Sequence, residues 1–368
     1  MRNLLRRCIR GDYLRIGIVG VGFSEFRIHE EPFYNVAFLA AKRALEDAGI
    51  ERGEVDSFIL GGYDNLGVGR TISNMYTAPA AGAYLRHEIR VSDDALFALP
   101  LAFMKVKSGS EITMLLAFGH SSETPIELVE LQSLDPFFHR PFNLSLPVFF
   151  AMQSYAYRER YGVKEEKIAE VVVRMREKGA KNPRAYIREK VSVEDVLSSE
   201  VVSSPLRRLE MAEWCDGCVA FILAEETVAR RLSDSPVWVS GLGWSAENYY
   251  FDRSLHDLPF VAKSAEMAFK MSGKERKDVE ALEISDLTAD YYCMILEALG
   301  FAETGRGWEF NGDVNFSGGA LCTNAYGSTG AFLLASIVER IRKGEIECGM
   351  AQSMSGYAQK SCVAILEG

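Results

Sequence analysis

Between Cys8 and Cys215 this 368-residue chain contains no cysteine, and after His256 it contains no histidine. The first absence removes a thiol nucleophile from most of the N-terminal half. The second removes a histidine base from the last third of the chain, so a Cys–His pair built across the two regions is excluded. Only one CxxC occurs, Cys215 and Cys218 in "EWCDGCVAFILAEE". A structural zinc site needs a second pair or histidines at suitable spacing, and none follows, so both read as core cysteines beside a buried strand. Seven cysteines with no framework spacing in a chain this long fit a reducing compartment, and the cytoplasm is the expected location. No stretch approaches the ~18 uninterrupted apolar residues of a membrane span. A net charge of −10 argues against a nucleic-acid surface but not against a small anionic ligand on a local basic patch. The basic start "MRNLLRRCIRGDY" reads as a disordered extension rather than a targeting peptide.

What is present is a duplication. "IGIVGVGFSEF" is followed by "AAKRALEDAGIERGEVDSFILGG", and after Pro236 "VWVSGLGWSAEN" is followed by "SAEMAFKMSGKERKDVEALEISD". Each half starts with a strand ending in Gly-x-Gly, an aromatic residue and Ser: Gly20, Gly22, Phe23 and Ser24, then Gly241, Gly243, Trp244 and Ser245. An amphipathic helix closed by Gly49 or Gly273 comes next, then Glu54-Val55 or Asp278-Val279 leading into a strand. Further on, "ALPLAFMKVKSGSEITMLLAFG" matches "ASIVERIRKGEIECGMAQSMSG", with helix stops at Gly109 and Gly344. Two β-α-β-α-β copies predict an α/β protein with pseudo-twofold halves, 1–235 and 236–368, meeting near 233–236. Residues 121–205 have no counterpart and form an insertion in the first half. Its segment "KEEKIAEVVVRMREKGAKNPRAYIREK" carries Arg174, Arg176, Lys178, Lys181, Arg184, Arg188 and Lys190, either a solvated helix face or an anion-contacting cap.

The glycine-dense "NFSGGALCTNAYGSTG" at 315–330 leads into an apolar helix and lacks the Gly-Lys-Ser/Thr ending of a P-loop. Together with "AAKRALEDAGI", "YAYRERYGVKEEKIAEVVVRMREKGAKNPRAYIREKVSVEDVLSSEVVSSPLRRLE", "CDGCVAFILAEE" and "LEALGF", it resembles the thiolases, specifically the sterol-carrier-protein or lipid-transfer type. The resemblance spans roughly residues 14–366. It implies a five-layer αβαβα fold, a dimer, and coenzyme A esters entering under a loop domain formed by the insertion, with no covalently bound cofactor and no metal.

The resemblance also shows what is missing. The family's acylated cysteine lies at a helix N-terminus, where the helix dipole lowers a thiol's pKa. Counting back from "KSG" at 107–109 puts that position at Ser92; Ser92, Asp93 and Asp94 read first as an N-cap with two dipole-matched carboxylates. The family's His-Asp-Cys-Phe segment is here Ser285, Asp286, Leu287 and Thr288. The histidine of its Gly-His-Pro turn falls near Asn324, and its C-terminal glycine loop becomes "SMSGYAQKS", with Gly356 and Tyr357.

Three activities follow as expectations. The leading one is a C–C lyase acting on β-hydroxyacyl-CoA by retro-aldol cleavage, which needs a base and enolate donors but no covalent intermediate. Tyr326 is the first candidate for it, followed by Asp286, Asn324 and Tyr357, with Gly318, Gly319, Gly327, Lys181 and Arg184 as contacts for the CoA ester. His120 is the histidine expected nearest the site, while Tyr291 and Tyr292 read as core. The alternative is a non-catalytic subunit paired with a second thiolase-like chain or with a small OB-fold/zinc-ribbon accessory protein. The third is acyl transfer through Cys322 or Cys293.

Overall fold

The computed structural model describes residues 15–63, 74–123, 134–142, 144–248 and 253–368, with positions 126 and 131; the basic N-terminal stretch lies outside them. The first half contributes strands β1 (Ile16–Phe23), β2 (Ser57–Gly61), β3 (His87–Val91), β4 (Ile112–Gly119) and β5 (Gly217–Glu225). The second contributes β6 (Val237–Ala246), β7 (Ala281–Ile284), β8 (Asp313–Val314), β9 (Cys348–Ser355) and β10 (Lys360–Glu367). Their order is β3-β2-β4-β5-β1 and then β6-β10-β9-β7-β8, so each half runs third, second, fourth, fifth, first outward-in. In both, the fifth strand is antiparallel to its neighbours and the second is parallel to its own. The halves meet where Gly17 and Ile18 pair with Trp238 and Val237.

The helices complete the layers. Helix α1 (Phe33–Ala48) and helix α2 (Asn74–Ala81) cover the outer face of the first half. Helix α3 (Leu99–Lys107), entered through a 3-10 turn at Ala95–Ala98, lies in the middle with α8 (Thr329–Arg342), and one buried cluster joins both helices to strands of both halves. Helix α6 (Pro259–Ser272) covers the outer face of the second half, and α7 (Ala289–Leu299) lies between it and the insertion.

The repeated Gly-x-Gly has a packing cause. A methyl on Gly20 or Gly22 would overlap the backbone of α1 at Ala44 or Ala40, and one on Gly241 or Gly243 would overlap α6 at Ala268 or Ser264. Each outer helix therefore lies directly on strand backbone, which only glycine allows.

The insertion supplies α4 (Leu146–Tyr161) and α5 (Glu165–Gly179). Buried Arg158 holds α4 to α7, at 2.9 and 2.8 Å from the two Asp290 oxygens and 3.0 Å from Glu210. Tyr157 adds a 2.5 Å bond to Glu297. Neither reading of the basic run fits all of it. Arg174 donates to the Trp308 and Phe310 carbonyls, Lys178 to that of Val314, and Arg176 is buried; Lys181, Arg184, Arg188 and Lys190 are exposed. Gly22→Ala and Gly243→Ala are each expected to destabilise the protein by about 1–3 kcal/mol through overpacking, read as a lower urea midpoint at unchanged m-value.

Candidate active site

The turn from Asn315 to Gly330 is built by buried polar groups. Asn315 sits at φ 47° and its side chain clamps Ile284, accepting its N–H at 2.7 Å and donating to its carbonyl at 3.1 Å. Glu283 accepts the Ser317 N–H and hydroxyl at 2.9 and 2.6 Å. Burial pushes the Glu283 carboxyl up to about 8. Asp286 accepts the backbone N–H of Ala320 at 2.6 Å and of Leu321 at 3.4 Å, and burial raises its pKa well above the usual range. Asp286 is thus the clasp of the turn. Gly318 and Gly319, at φ 97° and 66°, back onto Cys322, Gly179, Asn315 and Asp286 rather than onto open space. Their conformation answers to that packing. Gly327, at φ 101°, lies against the Phe118 carbonyl and Tyr63.

Past the clasp the turn faces a cavity. Asn324 is 1% exposed; its Oδ1 accepts the Thr329 hydroxyl at 2.8 Å, while its Nδ2 is buried without an acceptor among the described residues. It lines a cavity of about 130 Å³ with Ile126, Leu146, Phe150, Trp214 and Leu287, so the insertion roofs this space. Tyr326 is half-buried, stacked on Tyr63 at 4.6 Å between ring centroids and edge-on to Trp214 at 4.7 Å. Tyr357 turns elsewhere: its ring meets Phe149 at 6.0 Å and its hydroxyl reaches the Leu144 carbonyl at 3.5 Å.

The first half closes the site with carboxylates. Ser92, the counted position of the missing nucleophile, is exposed; the next two residues turn inward instead. Asp94 caps the Ala95–Ala98 turn through the Leu96 N–H at 3.1 Å and also accepts the Gly330 N–H at 3.1 Å and the Ser353 hydroxyl at 2.8 Å. Burial outweighs these bonds and lifts its pKa to about 6. Asp93 is no cap. Its carboxylate pairs with Lys360 at 3.0 Å and accepts the Ser355 hydroxyl, and Ser355 lies 2.5 Å from the Tyr63 hydroxyl.

Sequence reasoning missed Tyr63, Ser355 and Lys360. The signal available was their place in the repeat, since Tyr63 lies just beyond β2 and Ser355 ends β9, and open α/β sheets bind ligands beyond the carboxyl ends of strands.

Other candidates fall outside this group. Lys181 and Arg184 line a separate cavity of about 410 Å³, where Arg184 pairs with Glu339 at 2.6 Å and lies over the Phe23 ring. None of Asp286, Asn324, Tyr326 or Tyr357 lines that cavity. His120 packs its buried ring on Phe33 and lies 3.9 Å from Asp216. All six cysteines among the described residues are buried, and burial raises each thiol's pKa: Cys322 and Cys218 to about 12, Cys348 to about 11, and Cys293, Cys215 and Cys362 further. An activated thiolate needs the reverse, so burial counts against the expectation of acyl transfer through Cys322 or Cys293. No helix among the described residues is long and apolar enough to cross a membrane.

Comparison with known proteins agrees with this architecture. Residues 248–368 match the thiolase C-terminal domain-like family. The acetyl-CoA acetyltransferase of Methanothermobacter thermautotrophicus is 27% identical, with 95% of this chain and 98% of that one covered. The steroid side-chain-cleaving aldolase of Thermomonospora curvata is 26% identical over 84% of each chain. The solved Ltp2-ChsH2(DUF35) aldolase shares the fold at a TM-score of 0.81 and 22% identity, covering 96% of this chain and 98% of its own. Strand order, duplicated halves and these relatives agree on a thiolase architecture, and the chain is similar to the sterol-carrier-protein type, the sterol carrier protein 2 of Gallus gallus being 26% identical with 92% of this chain and 68% of that one covered.

Proposed function

We propose that this protein breaks or forms a C–C bond in a CoA thioester without an acyl-enzyme, by retro-aldol chemistry on a β-hydroxyacyl-CoA. The observation that carries the reading is the Asn324 amide. A buried donor with no acceptor costs roughly 1–3 kcal/mol, a cost removed when an acceptor arrives. An enolate oxygen forming on the thioester is such an acceptor, and a donor already fixed in place by Thr329 stabilises it without reorganising. Tyr326 faces the same Trp214 that closes the cavity, and holds the β-oxygen as it becomes a carbonyl. Asp286 keeps the turn in shape, and Tyr357 ties the C-terminal loop to the insertion.

The relatives support a lyase among thiolase scaffolds, since one is a side-chain-cleaving aldolase by name. Assembly with a second chain belongs to the same reading: the Ltp2-ChsH2(DUF35) aldolase is named for two components. Either a second thiolase-like copy or an OB-fold/zinc-ribbon accessory chain would serve here.

Incubation with a series of 3-hydroxyacyl-CoA esters is expected to release an aldehyde or ketone and a shorter acyl-CoA, resolved by mass spectrometry. Ester binding without turnover, in isolation and with a co-purified partner, would instead assign the chain a subunit role. Asn324→Ala should lower kcat about 10²–10³-fold, as loss of one oxyanion donor does. Tyr326→Phe should lower kcat about 10²–10⁴-fold with the fold unchanged by circular dichroism; a rate within threefold of the parent removes Tyr326 from the reaction.

A further inference from the structure

Asp93 is a buried carboxylate that the helix does not need. The neighbouring Asp94 provides the cap, and among the described residues the only backbone N–H on Asp93 is that of Asp94 itself, at 3.0 Å. Its remaining partners come from other parts of the chain: Lys360 at the start of β10 and Ser355 at the end of β9. Ser355 in turn meets Tyr63, just beyond β2, and Tyr63 stacks on Tyr326. The result is one line of hydrogen bonds from an ammonium group to a phenol packed with Tyr326 and Trp214 on Ile126, which lines the cavity.

We propose that Tyr63, Ser355, Asp93 and Lys360 form a proton relay, with Tyr63 touching the substrate's β-hydroxyl and the other three acting through it. The proposal rests on the retro-aldol reading above. In the forward step the β-hydroxyl gives its proton to the Tyr63 oxygen. The Tyr63 phenolic proton passes to the Ser355 oxygen, and the Ser355 proton passes to Asp93. The O–H electron pair becomes the new carbonyl, and the Cα–Cβ pair moves onto the thioester as an enolate facing Asn324. The proton on Asp93 then returns along the same line to Cα, so the cycle is neutral in protons and electrons.

The electrostatics suit each member. Burial, with Tyr326, Asp93 and Asp94 nearby, keeps the Tyr63 phenol protonated, so it transmits a proton instead of holding a charge. Burial raises Asp93 above an ordinary carboxylate, making it a better acceptor, while Lys360 limits that rise. Among the described residues, the titratable groups facing Asp93 are Lys360, Asp94, Tyr63 and Cys362. Of these only Lys360 is cationic, so it sets how far the ionised form is favoured.

The test uses the full chain with 3-hydroxyacyl-CoA esters, and deuterium exchange from D₂O into the α-carbon of butyryl-CoA as a second readout. Asp93→Asn, nearly isosteric, should lower kcat about 10²–10⁴-fold with little change in KM. Ser355→Ala should act in the same direction. Lys360→Met removes the charge favouring ionised Asp93, so the acid limb of the kcat–pH profile should move to higher pH, and Lys360→Arg should restore it. A merely structural pair predicts lower stability with the limb unmoved, and that result overturns the relay. So does Asp93→Asn within threefold of the parent. If no ester is cleaved, the lyase reading fails on its own and exchange decides the relay. Exchange in the parent that is lost in Tyr63→Phe and Asp93→Asn supports it; no exchange in the parent, or equal exchange in all three, overturns it.

Discussion

A single carboxylate, Asp94, accepts backbone N–H groups from the starts of both central helical segments, Leu96 in the first half and Gly330 in the second. The pseudo-twofold related halves therefore converge on one acceptor at the middle of the molecule. A methyl at Gly330 would run into that carboxylate, so the second residue of that helix is glycine where the first half supplies its cap. Two positive helix ends would repel across so short a gap. A shared anion turns that repulsion into attraction.

Everything at the site is arranged around this junction. The Asn315–Gly330 turn is held from behind by Glu283 and Asp286, which leaves Asn324 lining the cavity and Tyr326 packed on Trp214, which also lines it. Ser353 bonds to Asp94 and Ser355 to Asp93, so β9 ends against the same two carboxylates. Where a thiolate would need a helix dipole to lower its pKa, two buried carboxylates stand, one lifted to about 6 by burial. The local field has changed sign relative to what a nucleophilic cysteine requires. Every described cysteine is buried with its thiol raised, which disfavours an acyl-cysteine and suits the proposed proton-transfer chemistry.

The fold was legible because its signals are local and repeated. Gly-x-Gly before each first helix reports backbone-on-backbone packing, and Gly49 and Gly273 end those helices in the left-handed conformation at φ 65° and 68°. Half of the site was legible for the same reason: Asn324 and Tyr326 lie in a turn whose glycines are visible in the chain. The other half was not. Tyr63, Ser355 and Lys360 are ordinary residues at or just beyond strand ends, marked only by their place in the repeat. Counting residues from "KSG" put the missing nucleophile's position at Ser92, but the turn into the helix exposes Ser92 and buries Asp93 and Asp94.

The sequence by itself determined the architecture and one negative result. A duplicated pattern must build duplicated halves, and a residue type absent from a region cannot act there, whatever the fold. Only the tertiary structure decided which polar groups face one another. Asp93 meets Lys360 across 267 positions, and Tyr63 meets Ser355 across 292. Such pairings depend on how strands from the two halves are brought together, and side-chain direction at a helix entry depends on the burial of its neighbours. The same constraint separated Lys181 and Arg184 from the Tyr326 group and assigned Asp286 to holding a turn. Composition records which groups exist, and packing determines which of them share a site.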